Sequence, residues 1–475
     1  MRTTFEKFGL IGSGVLIGVL ISVNLSALAD KVLAPQLPID DLRVFAEVFG
    51  KVKSDYVEPV EDKKLINEAL TGMLAGLDPH STFMDADAYK DLQAGTQGEF
   101  GGLGIEVAME DGLVKVVTPI EDSPAYKAGL KSGDLIMKLD DTQVRGITLN
   151  DAVKKMRGAP DTKIVLTVLR KNEPKPLTFT LTRAIIKSQS VKNKYIEKDY
   201  GYIRITQFQE HTGEDLAKAL KALQVQNKGP FKGLVLDLRN NPGGLLDAAV
   251  GVSAAFLPKD KLVVYTEGRV ADSKMRLSAN PQDYARRGKG DYLKDESSDF
   301  KNVPMVVLVN AGSASASEIV AGALQDHKRA TILGIQSFGK GSVQTILPMN
   351  NGSAIKLTTA RYFTPNGRSI QAKGIVPDIN VEDGFDQSNN LHEADLGKHL
   401  SNPTDVNAGK KAPEIKDVAK EAAIAKANEK KYAEQKGPIE PASKDDIQFV
   451  QAMNVLKGLP VQKTPDPKIE ATKTN

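Results

Sequence analysis

The chain has 475 residues, a near-balanced formal charge of +3, five histidines and no cysteine. This length exceeds one ordinary hydrophobic core, so two or three domains are expected, and the balanced charge gives no reason to expect a nucleic-acid partner. The absence of cysteine excludes a disulfide framework, a thiolate nucleophile and a thiolate-bound metal.

Residues 1–29 have the pattern of an export signal. Arg2 and Lys7 precede an uncharged apolar run at 9–23, and Ala27-Leu-Ala29 supplies small residues for cleavage. The run is shorter than the ~20 residues that span a bilayer, which favours a cleaved signal peptide over a retained anchor. In either case we expect an exported protein of the periplasm, soluble after cleavage or anchored by residues 9–23. A cysteine-free chain suits such an oxidising compartment.

Residues 30–96 are predicted to form an N-terminal helical region. Apolar residues recur at helical spacing from Leu42 to Val52 and from Leu65 to Leu77, and a further short helix is predicted at about 86–92. Residues 97–185 then change to short β-type segments with two short helices. This pattern predicts a compact β-rich domain.

Strands and helices alternate from 186 to 385, which predicts an α/β core. Its polar segment 269–300 is expected to be a surface insertion. Residues 386–444, rich in Lys, Ala, Glu and Pro, are expected to be flexible. Residues 445–475 carry an amphipathic helix at 445–459, expected to dock on the protein or on a second subunit, and a tail.

The segment 309–319, Val-Asn-Ala-Gly-Ser-Ala-Ser-Ala-Ser-Glu-Ile, leads from a buried-type strand into a helix. Such a turn can expose a hydroxyl at the helix N-terminus, where free N–H groups stabilise an oxyanion. Ser315 and Glu318 also fit a capping box, so a purely structural cap is the alternative. Residue chemistry alone does not choose among Ser313, Ser315 and Ser317.

Lys340 stands between two glycines in the segment 337–344, Ser-Phe-Gly-Lys-Gly-Ser-Val-Gln. Burial in such a turn would lower its pKa toward the range of a general base, and Ser–Lys pairs are a known alternative to a histidine triad. Gln344 would lie on the same face of an extended segment and could orient the amine. Residues 334–340 match the start of a phosphate-binding loop, but Gly341 replaces its Ser or Thr, so nucleotide binding is not expected.

The segment 236–247, Leu-Asp-Leu-Arg-Asn-Asn-Pro-Gly-Gly-Leu-Leu-Asp, is a second strand, glycine turn and helix start. The N–H groups of Gly243 or Gly244 could form half of an oxyanion hole. The alternative is a tight turn that needs positive φ at the glycines.

Taken together, these segments closely resemble the carboxyl-terminal processing (tail-specific) peptidase family, over about residues 38–385. The resemblance implies a multidomain α+β protein, with a crotonase/ClpP-like α/β peptidase core, an inserted PDZ domain and an N-terminal helical segment. It also implies that the nucleophile is the middle serine, Ser315, that Lys340 is the base and that Gln344 orients the lysine.

The same resemblance implies an oxyanion hole formed by the N–H of Ala316 together with that of Gly243 or Gly244. The PDZ carboxylate-binding loop would be Gly102, Leu103, Gly104 and Ile105. Arg157 is a candidate for a contact that couples peptide binding to activity, and its alternative is a solvated arginine.

The expected function is that of an exported serine endopeptidase that recognises the C-terminal tails of protein substrates and cleaves near them. The alternatives are a catalytically inactive PDZ adaptor with a peptidase-like core, and a hydrolase of small esters or a related acyl-transfer enzyme. No cofactor is expected, and no metal, since His392-Glu393 begins an HExxH pattern that Leu396 breaks. A homodimer through the N- and C-terminal helices and an adaptor protein are the other partners considered.

Overall fold

The computed structural model describes residues 37–120, 122–286, 288, 290–295, 298–383, 390–404 and 439–464. The predicted export signal, residues 405–438 of the predicted flexible region and the tail from 465 lie outside the described residues. No helix in the described part of the chain is long and apolar enough to cross a membrane.

The chain divides into two compact units, residues 1–69 and 70–475. The first unit contains helix α1 (Ile39–Asp55) and the first half of helix α2 (Asp62–Ala75), as the helical spacing predicts. Asp40 and Asp41 lie in the first turn of α1 and Lys53 in the last, which favours the helix dipole. None of the residues of α1 is buried.

The second unit begins with a short strand and a capped helix. Strand β1 (Thr82–Met84) lies within the predicted helical region and pairs antiparallel with residues 354–356 of the core. Helix α3 (Ala86–Gln97) follows, and its N-cap Asp85 accepts a hydrogen bond from the N–H of Ala88.

The β-rich domain is a separate sheet with its own apolar core. The strand order is β3-β4-β5-β7-β8, with β6 paired to β5, so β3 lies at an edge. Two further strands, β2 and β9, pair antiparallel where the chain enters and leaves the domain. The elements are β2 (Glu99–Gly102), β3 (Ile105–Glu110), β4 (Leu113–Pro119), α4 (Pro124–Lys127), β5 (Leu135–Leu139), β6 (Thr142–Gln143), α5 (Leu149–Met156), β7 (Lys163–Leu169), β8 (Leu177–Thr182) and β9 (Ala184–Lys187).

The α/β core has two sheets. Its elements are β10 (Val191–Glu197), β11 (Tyr200–Ile205), α6 (Thr212–Asn227), β12 (Gly233–Asp237), α7 (Leu246–Phe256), β13 (Leu262–Gly268), β14 (Arg276–Ser278), α8 (Pro281–Tyr284), β15 (Met305–Val309), α9 (Ala316–Asp326), β16 (Thr331–Gly334), β17 (Ser342–Pro348), β18 (Ala354–Phe363), β19 (Ile379–Asn380) and the C-terminal α10 (Ile447–Lys457). The larger sheet has the order β10-β11-β12-β15-β16-β19 and is parallel except for β10. The smaller antiparallel sheet has the order β1-β18-β13-β14, with β17 paired to β18.

The central strands β12 and β15 are buried at every position, which is typical of a parallel sheet covered on both faces. One face packs against helices α6, α7 and α9. The other face packs against α10, whose Phe449, Ala452 and Met453 are buried in a core with Val235 and Val306. The predicted C-terminal helix therefore docks on its own chain.

Two expectations about surface segments are wrong. The polar segment 269–300 is not a simple surface insertion, because β14 joins the smaller sheet and Tyr284 and Phe300 are buried. The predicted flexibility beyond 386 does not hold for residues 390–404, where Glu393 and Asn402 are each only 1% exposed.

Candidate active site

Ser315 lies in a sharp turn between β15 and α9. Its backbone has φ +54° and ψ −111°, a conformation that costs energy for any residue other than glycine. Strained strand-to-helix turns of this kind present a nucleophilic side chain in other hydrolases. The side chain of Ser315 is partly exposed.

The other two serines of the segment are buried and hydrogen-bonded. Ser313 Oγ donates to Leu238 O at 2.9 Å, and Ser317 Oγ donates to Asn241 O at 2.9 Å. Both hydroxyls thus fix the turn after β15 to the turn after β12. Of the three serines, only Ser315 keeps a side chain that solvent or a ligand can reach.

The buried carboxylate of Glu318 joins the Ser315 turn to the Gly-Lys-Gly turn. Its Oε2 accepts from Ser315 N at 2.7 Å and from Lys340 N at 3.0 Å. Its Oε1 accepts from Ser337 Oγ at 2.5 Å and from Gly339 N at 2.7 Å. Because one oxygen binds both N–H groups, Ser315 and Lys340 lie next to each other.

Burial raises the pKa of Glu318 to about 7, although its four hydrogen bonds favour the carboxylate. The S-x-x-E spacing had marked Glu318 as a capping residue. The link to Lys340 could not be read from that spacing, because it depends on how the two turns pack.

Lys340 is half-buried, and its pKa falls to about 8. Burial is the main cause, and the positive charge of Lys356 adds to it. The carboxylates of Glu393, Glu318 and Asp78 act in the opposite direction. A substantial fraction of the amine is therefore neutral, and able to accept a proton, in mildly alkaline solution.

The expected contact of Gln344 with Lys340 is absent from this structure. Gln344 Nε2 donates to Ser342 Oγ at 3.0 Å and to Thr358 Oγ1 at 3.2 Å. Within the described residues, Lys340 Nζ makes no hydrogen bond to Gln344 or to Ser315 Oγ. The simple alternation of side chains fails because β17 begins only at Ser342 and its register shifts between Val343 and Gln344.

Tyr362, a residue not identified from the sequence, also lies between the two turns. Its side chain is buried and its hydroxyl donates to the carbonyl oxygen of Lys340. Burial raises the pKa of Tyr362 well above its usual value and Glu318 adds to this, while a hydrogen bond with Ser315 opposes it. No motif in the sequence indicated this tyrosine, because it comes from β18 of the other sheet.

The glycine turn after β12 packs directly against Ser315. A Cβ atom at Gly243 would lie 2.8 Å from Ser315 Cβ and 2.9 Å from Ala316 N, so a side chain there would displace the turn. Gly243 N donates to Asn241 Oδ1 at 2.9 Å. Among the described residues, the N–H groups of Gly244 and Ala316 have no protein acceptor, which favours Gly244 over Gly243 as an oxyanion donor.

The strand that leads to this glycine turn is anchored by the C-terminal helix. Arg239 Nη2 donates to Asp237 Oδ2 and to Asp446 Oδ2, each at 2.7 Å. Asp446 is also the N-cap of α10. The C-terminal helix, outside the part of the sequence that resembles the family, therefore supports the candidate site.

The predicted PDZ loop at 102–105 lies at the start of the edge strand β3. Gly104 has φ +74°, and a Cβ there would lie 2.2 Å from Ser123 Cβ, so only glycine fits. Leu103 is buried, and β3, which begins at Ile105, has an unpaired edge. An extended peptide can add to such an edge.

Arg157 is not simply solvated. Its Nη1 forms an ion pair with Asp91 Oδ1 at 2.7 Å, and its guanidinium lies 5.5 Å from the centroid of the Phe100 ring. It therefore connects the end of α5 to α3 and β2.

Comparisons with known proteins agree with this architecture. The profile of peptidase family S41 matches residues 199–381, a PDZ domain profile matches 101–181, and the profile of the activating protease CtpB N-terminal domain matches 24–88. A solved structure, the photosystem II D1 C-terminal processing protease, is 31% identical with a TM-score of 0.40, over 72% of this chain and 92% of that one.

Two curated relatives are similar over most of the chain. The carboxy-terminal-processing protease of Bartonella bacilliformis is 45% identical over 453 residues, covering 93% of this chain and 94% of that protein. Carboxy-terminal processing protease CtpB of Bacillus subtilis is 38% identical over 340 residues, covering 71% of this chain and 67% of that protein. On this evidence, the chain belongs to the PDZ-containing carboxy-terminal processing proteases of peptidase family S41.

Proposed function

We propose that this carboxy-terminal processing protease is an exported serine endopeptidase with Ser315 as nucleophile and Lys340 as general base. The observation that carries the proposal is the shared Glu318 oxygen, which binds the N–H groups of both residues. The exposed hydroxyl on a strained turn and the lowered pKa of the lysine provide further support.

In the acylation step, Ser315 Oγ attacks the carbonyl carbon of the scissile peptide bond. Its proton passes to the neutral Lys340 Nζ as the C–O bond forms. The N–H groups of Ala316 and Gly244 donate to the resulting oxyanion. Lys340 then gives the proton to the leaving nitrogen, and the C–N bond breaks to leave an ester on Ser315.

Deacylation repeats these steps with water. Lys340 Nζ takes a proton from a water molecule as the water oxygen attacks the ester carbon. The ester C–O bond then breaks, and the proton returns to Ser315 Oγ. The neutral lysine is regenerated, so the cycle needs no other group from outside the protein.

Gln344 is proposed to orient the lysine in the substrate-bound enzyme. Because its Nε2 is held by Ser342 and Thr358, its carbonyl oxygen is the end of the side chain that can accept from the neutral amine.

Substrate tails are proposed to bind in the PDZ domain. The terminal carboxylate would be bound by the backbone N–H groups of the loop at 102–105, and the tail would add as a strand to β3. Arg157 is the C-cap of α5, which borders the same apolar core as Ile105. It contacts Asp91 of α3 outside the domain and Phe100 of β2, where the chain enters the domain. We propose that it transmits tail binding to the rest of the enzyme.

Export to the periplasm and assembly are further parts of the proposal. The apolar side of α10 is occupied by the core of the same chain, so a homodimer would use the N-terminal helices. Leu42, Phe45 and Val48 of α1 are exposed and suit such a contact. Delivery of substrates by an adaptor protein is the remaining partner proposal.

The test is cleavage of tagged proteins that differ only in their C-terminal residues, by wild type, Ser315→Ala and Lys340→Ala. Wild type is expected to cleave at a rate that depends on the tail, and both variants to lose cleavage while still binding a tail peptide. Cleavage by Ser315→Ala would show that another nucleophile acts. No cleavage of any substrate by wild type would favour the inactive adaptor.

A further inference from the structure

Glu393 is a buried carboxylate in the segment 390–404, which follows the family's peptidase domain. Its side chain is 1% exposed and has two partners from distant parts of the chain. Oε2 lies 2.8 Å from His80 Nε2, and Oε1 accepts from Gln371 Nε2 at 2.9 Å. The backbone N–H of Glu393 donates to Phe338 O at 2.9 Å. A buried carboxylate without partners would be costly. The hydrogen bonds of Glu393 therefore indicate that the surrounding residues are arranged to bind it.

These contacts hold the Lys340 turn from both sides. Phe338 precedes the Gly-Lys-Gly turn and bonds directly to Glu393. Gly341 follows Lys340, and its N–H donates to Gln371 Oε1 at 3.0 Å, while Gln371 binds Glu393 through its other amide atom. Glu393 is thus linked to the residues before and after the lysine.

His80 connects the same carboxylate to the Gln344 side of the site. It belongs to the turn Asp78-Pro-His-Ser, in which Asp78 Oδ1 accepts from His80 N at 2.9 Å. The same oxygen accepts from Thr358 Oγ1 at 3.1 Å, and Thr358 Oγ1 accepts from Gln344 Nε2 at 3.2 Å. A continuous set of bonds therefore runs from Glu393 through His80 and Asp78 to Gln344.

We propose that His80 and Glu393 form a positioning pair that holds the Lys340 turn, and the amide end of Gln344 beside it, in the place from which Lys340 reaches Ser315 in the substrate-bound enzyme. The inference rests on the proposed function, and neither residue is proposed to touch substrate. It makes His80, in the turn at 78–81, and Glu393 positioning residues of the active site.

Because charged groups surround Lys340, the pH dependence of kcat can distinguish a positioning role from simple structural support. Lys356 on β18 faces the lysine with positive charge, and Glu318 of α9, Asp78 and Glu393 face it with negative charge. His80 Nε2 lies 2.8 Å from Glu393 Oε2. Removing the carboxylate should lower the pKa of Lys340, because Glu393 raises it, whereas removing the imidazole should remove a contact that holds Glu393 in place.

The experiment compares Glu393→Gln, His80→Gln and the double variant with two controls, His399→Gln in the same segment and the exposed Glu173→Gln. The rate of cleavage of a tail-bearing protein is measured against pH, together with tail-peptide binding and Tm. Both single variants are expected to lower kcat ~10-fold or more and to leave KM within about twofold of the wild-type value. A tenfold loss of kcat corresponds to ~1.4 kcal/mol in activation free energy.

The acid limb of kcat is expected to move to lower pH in Glu393→Gln, because this variant removes a negative charge that raises the pKa of Lys340. In His80→Gln the loss is expected in the alkaline plateau of kcat rather than in KM. The double variant is expected to resemble Glu393→Gln, since the pair acts as one unit. If Glu393→Gln does not fold, His80→Gln tests the proposal alone, because its side chain is 17% exposed and less constrained.

The inference would be overturned by a kcat and an acid limb equal to those of the controls. A change in KM alone, or a loss of kcat and Tm in Glu393→Gln without any movement of the limb, would also overturn it. Ser315→Ala in the same assay distinguishes a failure of the proposed function from a failure of this inference. If that variant still cleaves, the proposed function fails, whereas normal His80 and Glu393 variants beside an inactive Ser315→Ala remove only this inference.

Discussion

At the scale of single residues, the site depends on holding Ser315 in a conformation that it would not adopt by itself. A positive φ at a non-glycine residue costs about 1–3 kcal/mol and persists only where its surroundings enforce it. Here the enforcing contacts are the Glu318 carboxylate on the N–H of Ser315 and the hydroxyls of Ser313 and Ser317. The same carboxylate fixes Lys340, so one buried group positions both reacting residues.

Replacing this carboxylate by an amide should separate the two turns. In Glu318→Gln, an NH2 group would face N–H donors in place of an acceptor, at a cost of about 1–3 kcal/mol. We expect kcat to fall ~10- to 100-fold and Tm to decrease, measured by cleavage assays and thermal unfolding. The control Glu173→Gln should leave both unchanged, and an unaltered kcat in Glu318→Gln would show that the bridge is dispensable.

The activity should depend on pH through Lys340. Because only its neutral form accepts a proton, activity below pH 8 should fall about tenfold per pH unit and should level off above it. Lys356→Met removes a charge that lowers the pKa of Lys340, so its acid limb should move to higher pH. The exposed control Lys221→Met should not shift it, and a shift of the Lys356 variant to lower pH would contradict the assignment.

The motifs around Ser315 and Lys340 could be identified from the sequence, but their contacts could not. Burial distinguishes Ser315 from Ser313 and Ser317, and burial follows from packing between two turns that lie far apart along the chain. The direction of the Gln344 side chain could not be predicted for a related reason. The register shift between Val343 and Gln344 has no signature in the sequence of residues 340–344. Tyr362 belongs to another sheet and carries no local signal.

At the scale of secondary structure, segments beyond the peptidase domain complete the core. Helix α10 covers one face of the larger sheet, and Asp446 at its N-terminus binds Arg239 beside the glycine turn. The amphipathic pattern of this helix was visible in the sequence, but its partner was not. The Lys, Ala, Glu and Pro content of residues 386–444 predicted flexibility, whereas Glu393 and Asn402 make buried polar contacts within residues 390–404.

Breaking the ion pair of this helix should destabilise the core. Arg239 is only 8% exposed. Asp446→Asn removes one of the acidic partners of its guanidinium group. Because Arg239 keeps its bonds to Asp237, the expected loss is that of one charged hydrogen-bonded partner, about 1.5–3 kcal/mol, which urea denaturation should reveal. The adjacent exposed Asp445→Asn is the matched control, and equal stability of the two variants would contradict the role assigned to Asp446.

At the scale of the whole molecule, the proposed recognition site and the proposed catalytic residues lie in different domains. The PDZ domain offers an open strand edge, whereas Ser315 and Lys340 lie in the α/β core. This division was visible in the sequence as a change from short β segments to alternating strands and helices. The exact course of the PDZ loop required the structure, because it depends on the contact between Gly104 and Ser123.

Gly104→Ala should weaken tail binding far more than Gly112→Ala. Both glycines have similar positive φ, but a Cβ at Gly104 meets Ser123 whereas one at Gly112 meets nothing within 4 Å. We expect Gly104→Ala to raise KM and the Kd of a tail peptide ~10-fold or more, measured by steady-state cleavage and calorimetry. Equal effects of the two substitutions would show that the loop conformation does not determine tail binding.

The central claim, that Ser315 forms an acyl-enzyme with Lys340 as its base, is tested most directly by trapping the intermediate. An ester substrate with a good leaving group, which makes acylation faster than deacylation, is mixed with the enzyme, and the reaction is quenched in acid. Intact mass and peptide mapping should then find the acyl group on Ser315, and none in Ser315→Ala. Turnover without an acylated Ser315, or an acyl group on Ser313 or Ser317, would contradict the account.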